Sequence, residues 1–168
     1  MNETLLTAIR HSCWANLELI AFCATLSPEQ LAWTEPGTYG SIHATLQHIV
    51  GAEQGYLFRL TGEEPPQGMF KPDVLVGLNE LAERERSVRE RAETLLAGRF
   101  DDDAWHKGRS IRAKGRIVVA QLVHHGSDHR AHVGTILGSR GVEPPNLDVW
   151  AYGQTTGEVA ALEEPAKT

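Results

Sequence analysis

Apolar residues recur every three or four positions in four separate segments of the chain, which is the spacing of helices with one buried face. The first stripe consists of Leu5, Ile9, Cys13, Leu17, Ile20 and Ala24. The second consists of Ile42, Leu46, Ile49, Tyr56 and Leu60. Ser27-Pro28 ends the first segment and starts a short turn, while Ser41 is a good N-cap before the second segment and Gly62 a good stop after it.

The third and fourth segments carry polar residues within their apolar stripes. Asp73 is placed to cap the third segment, and Glu85 is the one polar member of its near-heptad stripe. The apolar members are Val74, Leu78, Leu81, Val88, Ala92 and Leu95. The fourth segment runs from about residue 117 to 140. Its inward stripe consists of Val118, Leu122, His125, His129, His132 and Ile136.

The order of these segments predicts the fold. Residues 99–116 lack a helical period, and their two Lys-Gly pairs favour a loop or a short hairpin. Four long helices with moderate connections predict an all-α, up-down-type four-helix bundle, with a short irregular or hairpin segment before the last long helix. No repeat or linker divides the chain. We therefore expect a single domain over residues 1–157 and a flexible C-terminal tail over residues 158–168.

Composition and charge narrow the class of protein. A chain of 168 residues with 41% hydrophobic residues is long enough for one domain with an ordinary core. Its formal net charge of −6 repels phosphate backbones, which argues against a nucleic-acid partner. The first residues do not resemble a signal peptide, and no stretch approaches the ~20 apolar residues that span a membrane. We expect a cytoplasmic protein that acts on a small-molecule substrate, with assembly into a homodimer left open.

The cysteines predict no disulfide. Cys13 and Cys23 are ten positions apart in the first predicted helix, which separates them by ~15 Å along its axis. A disulfide needs Cα atoms within roughly 7 Å of each other. We expect two free thiols in the core.

Histidine replaces apolar residues on the inner face of the fourth predicted helix. His125 and His129 are one turn apart, so their rings can converge on one ion. His132 lies ~10 Å along the axis from His125, too far for both to share that ion easily. The second helix offers His48, whose neighbours on the same row are small: Thr45, Ala52 and Gly55. Three neutral imidazoles leave a coordination position open, as in catalytic metal sites.

Other inward polar residues have simpler explanations. His11 and His43 are expected to be hydrogen-bonded core residues rather than ligands. Glu53 and Glu85 face inward by their period, so either is a candidate fourth ligand or general base. Pairing of each carboxylate with an arginine such as Arg130 is the interpretation that we favour.

The two histidine segments resemble the DinB-like family of bacterial metal-dependent proteins, which is unrelated to the DNA polymerase that shares the name. They are "YGSIHATLQHIVGAEQGYLFRLTG" at 39–62 and "VAQLVHHGSDHRAHVGTILGSRGVEPPNLDVWAYG" at 119–153. The family shows Leu-x-His in an early helix and His-x-x-x-His-Arg-Gly-Gln in a late one. "WANLELIAFCATLSPEQL" at 14–31 suits its first helix, so the resemblance covers almost the whole chain. Carried over by position, it implies His48, His125 and His129 as the metal ligands.

The resemblance also implies a chemistry. Characterised members include transferases and isomerases that use a low-molecular-weight bacterial thiol. We therefore expect a divalent metal ion, zinc before nickel, and an enzyme of the thiol S-transferase or hydrolase type with such a thiol as cosubstrate. The alternative is a non-catalytic, metal-stabilised binding or stress-response protein.

One departure from the family pattern concerns the two residues that follow His129-Arg130. The family usually has Gly-Gln after His-Arg, whereas this chain has Ala131 and His132. His132 and Arg130 are therefore candidates for residues that support the ligands. His132 is either a group that orients a ligand or shuttles protons, or simply a hydrogen-bonded core residue.

Overall fold

The structure is a computed structural model that describes residues 3–64, 74–98, 100–108 and 110–160. Its helices in these ranges are α1 (Glu3–Cys23), α2 (Pro28–Leu31), α3 (Ile42–Thr61), α4 (Leu78–Ala97), α5 (Gly115–Ser139) and α6 (Val149–Thr156). Strands β1 (Trp105–Lys107) and β2 (Arg112–Lys114) pair antiparallel as a small hairpin before α5. The prediction of an all-α bundle is confirmed. None of the described helices is both long and apolar enough to cross a membrane.

Local signals set several helix ends as predicted. The Ser41 hydroxyl accepts a hydrogen bond from the Ala44 N–H at 3.2 Å, and Gly62 ends α3 in the left-handed conformation with φ 73°. Ser27 does more than start a turn. It caps the one-turn helix α2 reciprocally with Gln30, whose side chain accepts from the Ser27 N–H at 2.8 Å.

Two helix starts differ from the sequence prediction. The third long helix, α4, begins at Leu78 rather than near Asp73, which itself lies outside the described residues. The Gln47 side chain explains the delay, because its amide donates to the Val74 carbonyl at 2.9 Å and accepts from the Val76 N–H at 2.8 Å. These bonds hold the segment before α4 against α3. The fourth long helix, α5, begins at Gly115, two residues earlier than predicted.

The predictions also missed the C-terminal helix α6. Asp148 caps it by accepting from the Ala151 N–H at 2.7 Å, and Gly157 ends it with φ 76°. Tyr152 of α6 is buried and packs its ring against Trp14 of α1, with ring centroids 5.5 Å apart. The expected tail from residue 158 onwards lies mostly outside the described residues.

The four long helices divide into two sets of neighbours, which places the histidines. Both α1 and α3 pack mainly on α4 and α5. The face of α3 that carries His48 therefore lies beside the face of α5 that carries His125 and His129.

A polar layer crosses the middle of the bundle and separates two apolar clusters. One cluster contains Leu19, Ile20, Cys23, Ile42, Leu46, Val50, Leu81, Val133, Ile136 and Leu137. The other contains Ile9, Cys13, Leu57, Leu60, Val88, Ala92, Val118 and Val119. The buried polar residues between them are Ser12, Asn16, Glu53, Glu85 and Arg130. Cys13 and Cys23 are buried and free, as predicted.

Candidate metal centre

Three histidine rings from α3 and α5 meet at one place. The ring centroid of His125 lies 4.8 Å from that of His48 and 4.4 Å from that of His129. The His48 and His129 centroids are 4.7 Å apart. The Nε2 atoms of His48 and His125 are 3.0 Å apart, and one potential ligand atom from each of the three rings lies within 4.8 Å of the others. The structure therefore brings together the three side chains that the sequence selects.

The geometry and chemistry of these donors fit a divalent ion. Two nitrogens bound to a tetrahedral zinc ion at 2.0–2.1 Å are about 3.3 Å apart, close to the Nε2 separation of His48 and His125. The Nδ1 atom of His125 is buried and has no hydrogen-bond partner among the described residues, so Nε2 is its only nitrogen with a partner. Imidazole nitrogens are suitable ligands for zinc, nickel and related ions.

Burial keeps the three rings in the form that binds metal. Desolvation, together with the neighbouring rings of His129 and His48, lowers the pKa of His125 to about 4. Desolvation also lowers the pKa of His48 and of His129, assisted in each case by another histidine. All three imidazoles are consequently uncharged at neutral pH, with a lone pair available for a metal ion.

An aromatic residue that the sequence analysis missed covers one of the rings. Tyr39 stacks on His48 with ring centroids 4.0 Å apart and an interplanar angle of 15°. Its edge contacts His129 at a centroid distance of 5.1 Å, and the residue is 50% exposed. Tyr39 thus stands at the solvent side of the three histidines. It lies in a loop, where no periodicity marks it, and its nearness to the N-cap Ser41 is the one available signal.

His132 contacts the centre without joining the three rings. Its Nδ1 lies 3.2 Å from Nδ1 of His129, which leaves Nε2 of His129 for the other two histidines. His132 also belongs to a second group of potential donors with Asp128 and His129, whose ligand atoms lie within 4.8 Å of one another. Asp128 is exposed. Two donor sets therefore share His129, and only one of them includes His48.

The other inward histidines bind backbone carbonyls, as predicted. His11 Nε2 lies 2.8 Å from the Leu147 carbonyl, and His43 Nε2 lies 2.7 Å from the Val76 carbonyl. Each ring joins a bundle helix to a connecting segment. These contacts explain the two histidines without a metal ion.

The two inward carboxylates lie in the polar layer instead of the metal centre. Glu53 and Glu85 group with Cys13, and neither belongs to the donor set of the three histidines. The predicted direct pairing with Arg130 is wrong, because Asn16 stands between the charges. Its Nδ2 donates to Oε1 of both glutamates at 3.0 Å, and its Oδ1 accepts from Arg130 at 2.7 Å. Arg130 thus supports α5 through α1 and does not contact the three rings through any described hydrogen bond.

Comparison with known proteins agrees with this architecture. The DinB family matches residues 1–164. Among solved structures, a DinB-like protein from Bacillus cereus ATCC 10987 is similar with a TM-score of 0.67 and 18% sequence identity, over 86% of this chain and 96% of that one. No curated protein matches the chain. At that identity the structural likeness supports the fold alone, but the family match spans nearly every residue. The chain belongs to the DinB family.

Proposed function

We propose that this protein is a metal-dependent enzyme in which His48, His125 and His129 hold one divalent ion, zinc before nickel. The observation that carries the proposal is the convergence of three uncharged imidazoles from two helices, with ligand atoms within 4.8 Å of one another. Without an ion, the three half-buried rings would have one short nitrogen–nitrogen contact among themselves, between His48 and His125. Buried polar groups normally have partners, and an ion would supply one for each ring.

The donor set favours a catalytic site over a structural one. Structural zinc sites usually have four protein ligands, whereas catalytic sites keep a position for water or substrate. Among the described residues, Glu53 and Glu85 belong to another cluster, and the group that contains His48 has only histidines. A divalent ion held there would lower the pKa of a water or thiol that binds it, and so supply a nucleophile at neutral pH.

Two neighbouring side chains would support that chemistry. A histidine that binds a metal through Nε2 carries its proton on Nδ1, and His129 has a neighbour at that nitrogen which can accept the proton. The Nδ1 of His132 stands at 3.2 Å, where it can accept that proton from His129 and fix the tautomer of the ring. Tyr39 holds the plane of the His48 ring by stacking on it. A substrate that approaches from solvent meets this half-exposed tyrosine before the histidines.

For the reaction, we propose thiol transfer with a low-molecular-weight thiol, with hydrolysis as the related possibility. The support is the resemblance of the two histidine segments to a family with thiol-dependent members, together with a ligand set that leaves a coordination position free. A thiolate is a good ligand for an imidazole-bound divalent ion, and binding to the ion favours its deprotonation.

Cobalt substitution tests this proposal directly. Titration of a small thiol such as β-mercaptoethanol into the cobalt-loaded protein should produce a saturable sulfur-to-cobalt charge-transfer band. His48→Ala should abolish the band, whereas His43→Ala should keep it, because His43 lies on the same helix but binds the Val76 carbonyl. Cobalt-loaded wild-type protein that shows no band at millimolar thiol has a closed site, and a structural metal would then be the better account.

A further inference from the structure

The polar layer beside the metal centre contains two carboxyl groups in an unusual state. Glu53 of α3 and Glu85 of α4 are both completely buried, with no exposed surface. A third side chain, Asn16, holds them together by donating from one nitrogen to Oε1 of each. The remaining oxygens, Oε2 of Glu53 and Oε2 of Glu85, have no hydrogen-bond partner among the described residues.

Within the part of the chain that the structure describes, no donor lies within hydrogen-bond distance of these two oxygens. The carboxyl groups lie within hydrogen-bonding reach of each other, and the Cys13 thiol is close to Glu85. A thiol is a weak donor, and ionised carboxylates only accept. Two ionised carboxylates in contact in a fully buried site would repel each other strongly. A proton on one of them removes the repulsion and supplies the missing donor.

The sum of the charges in the polar layer also indicates one bound proton. The titratable groups that face the pair are Cys13 of α1 and Arg130 of α5. With both glutamates ionised, the layer would carry two negative charges against one arginine. With both protonated, Arg130 would be a buried cation without a counter-charge, and either excess is costly in the interior. One proton gives one negative and one positive charge.

We infer that Glu53 and Glu85 share one proton at neutral pH, and that the cluster of Ser12, Cys13, Asn16, Glu53, Glu85 and Arg130 is therefore an electrically neutral unit. The inference concerns the core and does not depend on the proposed metal function. Burial and the mutual repulsion of the pair raise the pKa of Glu53, and burial raises that of Glu85, which agrees with this state.

This unit fixes the part of α5 that carries the metal ligands. Arg130, which follows His129, donates from Nη1 to Ser12 Oγ at 3.2 Å and to Asn16 Oδ1 at 2.7 Å. Gly126, which follows His125, gives the cluster room on the same face. A Cβ there would lie 2.8 Å from Arg130 Nη1 and 2.9 Å from Glu53 Oε1. All four long helices thus meet in one hydrogen-bonded cluster at the level of the two histidines.

Infrared spectroscopy of the metal-free protein at pH 7 tests the shared proton. The wild type should show the carbonyl stretch of one protonated carboxyl group. Glu85→Gln and Glu53→Gln should each lose that band, because the remaining glutamate then ionises opposite Arg130. Glu83→Gln, a change at an exposed position two residues away on α4, should keep it.

Three results would overturn the inference. A wild type without the band has two ionised glutamates, and a band that persists in either single variant means that the remaining glutamate keeps a proton of its own, so that the proton is not shared. A divalent ion retained at this cluster after substitution of all three metal-centre histidines would mean that Cys13, Glu53 and Glu85 bind a metal instead of a proton. If one of the glutamine variants fails to fold, the wild-type spectrum alone still decides whether a protonated carboxyl is present.

Discussion

Two polar clusters lie side by side along α5, and they differ in how their polar atoms are satisfied. His125 and His129 face a half-buried group whose nitrogens contact each other and whose tyrosine neighbour is half exposed. Gly126 and Arg130 face a fully buried group whose charges are joined by an asparagine. Adjacent residues of α5 therefore belong to two different sites, one half-buried beside solvent and one fully buried in the core.

The comparison shows which feature marks a site for an external ligand. The histidine cluster consists of uncharged nitrogen ligands whose lone pairs converge near solvent. It lacks a positive charge to bind those lone pairs, and a metal ion can supply it. The buried cluster balances its own charge with one arginine and one proton. Polar residues in a core are therefore evidence for a ligand only when some of their atoms lack a hydrogen-bond partner and a bound proton cannot supply one.

The largest expected effect comes from breaking the buried cluster. Arg130→Met should lower the free energy of unfolding by about 3–5 kcal/mol, because it leaves a buried carboxylate without its counter-charge. Urea denaturation at pH 7 measures this. Arg84→Met removes an ion pair with Glu80 on the surface of α4 and should change stability by about 0.5 kcal/mol or less. Equal effects of the two substitutions would show that the buried cluster contributes no more than a surface pair.

Removal of the metal should have the next largest effect. Only the folded bundle brings His48 to α5, so an ion at ~100 times its dissociation constant stabilises the fold by about 2.7 kcal/mol. A chelator should therefore lower the melting temperature of the metal-loaded protein by roughly 5–10 °C. The same chelator should leave His125→Ala unchanged. An unchanged melting temperature in the wild type, with loss of the metal confirmed, would contradict the coupling between metal binding and folding.

Adding a methyl group at two glycines of α5 compares a position against the buried cluster with a position that has open space around it. Gly126→Ala should destabilise the protein by about 1–3 kcal/mol, because the added Cβ would lie within 3.0 Å of Ser12 Oγ as well as close to Arg130 and Glu53. Gly134→Ala, in the same helix, places its Cβ in open space and should stabilise the helix by about 0.5–1 kcal/mol. Thermal unfolding of both variants gives the comparison. Two changes of the same sign would contradict a steric cost of the methyl group at residue 126.

The smallest expected effect near neutral pH is the change in stability of the metal-free protein as the pH is lowered. The pKa of His125 is lowered from 6.5 to about 4 in the folded state, so the unfolded chain binds a proton there first as the pH falls. Stability from this group is complete above pH 6.5 and decreases as the pH falls towards 4. The free energy of unfolding of His125→Asn should decrease less steeply over that pH range than that of the wild type. His124→Asn, a change at an exposed position, should keep the wild-type slope. A wild-type slope retained in His125→Asn would place the responsible group elsewhere.

The sequence was sufficient to predict the long helices and the residues that share one face of a helix. Helical period locates the long helices, and one turn of spacing brings His125 and His129 together. The Lys-Gly pairs indicated the hairpin before α5. These predictions succeed because regular helices convert spacing in the sequence directly into positions on one face.

The features that the sequence did not predict depend on contacts between elements. Tyr39 lies in a loop, and only the folded structure shows that it stacks on His48. Asn16 was passed over because a stripe of apolar residues does not register a polar one, yet it is 1% exposed and joins Arg130 to the glutamates. The late start of α4 depends on the side chain of Gln47, a residue of another helix.

Metal content of single histidine variants tests the central proposal most directly. Elemental analysis of purified protein should find about one divalent ion per chain in the wild type and in His132→Ala. His48→Ala, His125→Ala and His129→Ala should each lose most of it. If His48→Ala keeps its metal while His132→Ala loses it, the ion is held by the group of Asp128, His129 and His132, and the three-histidine centre proposed for this protein is wrong.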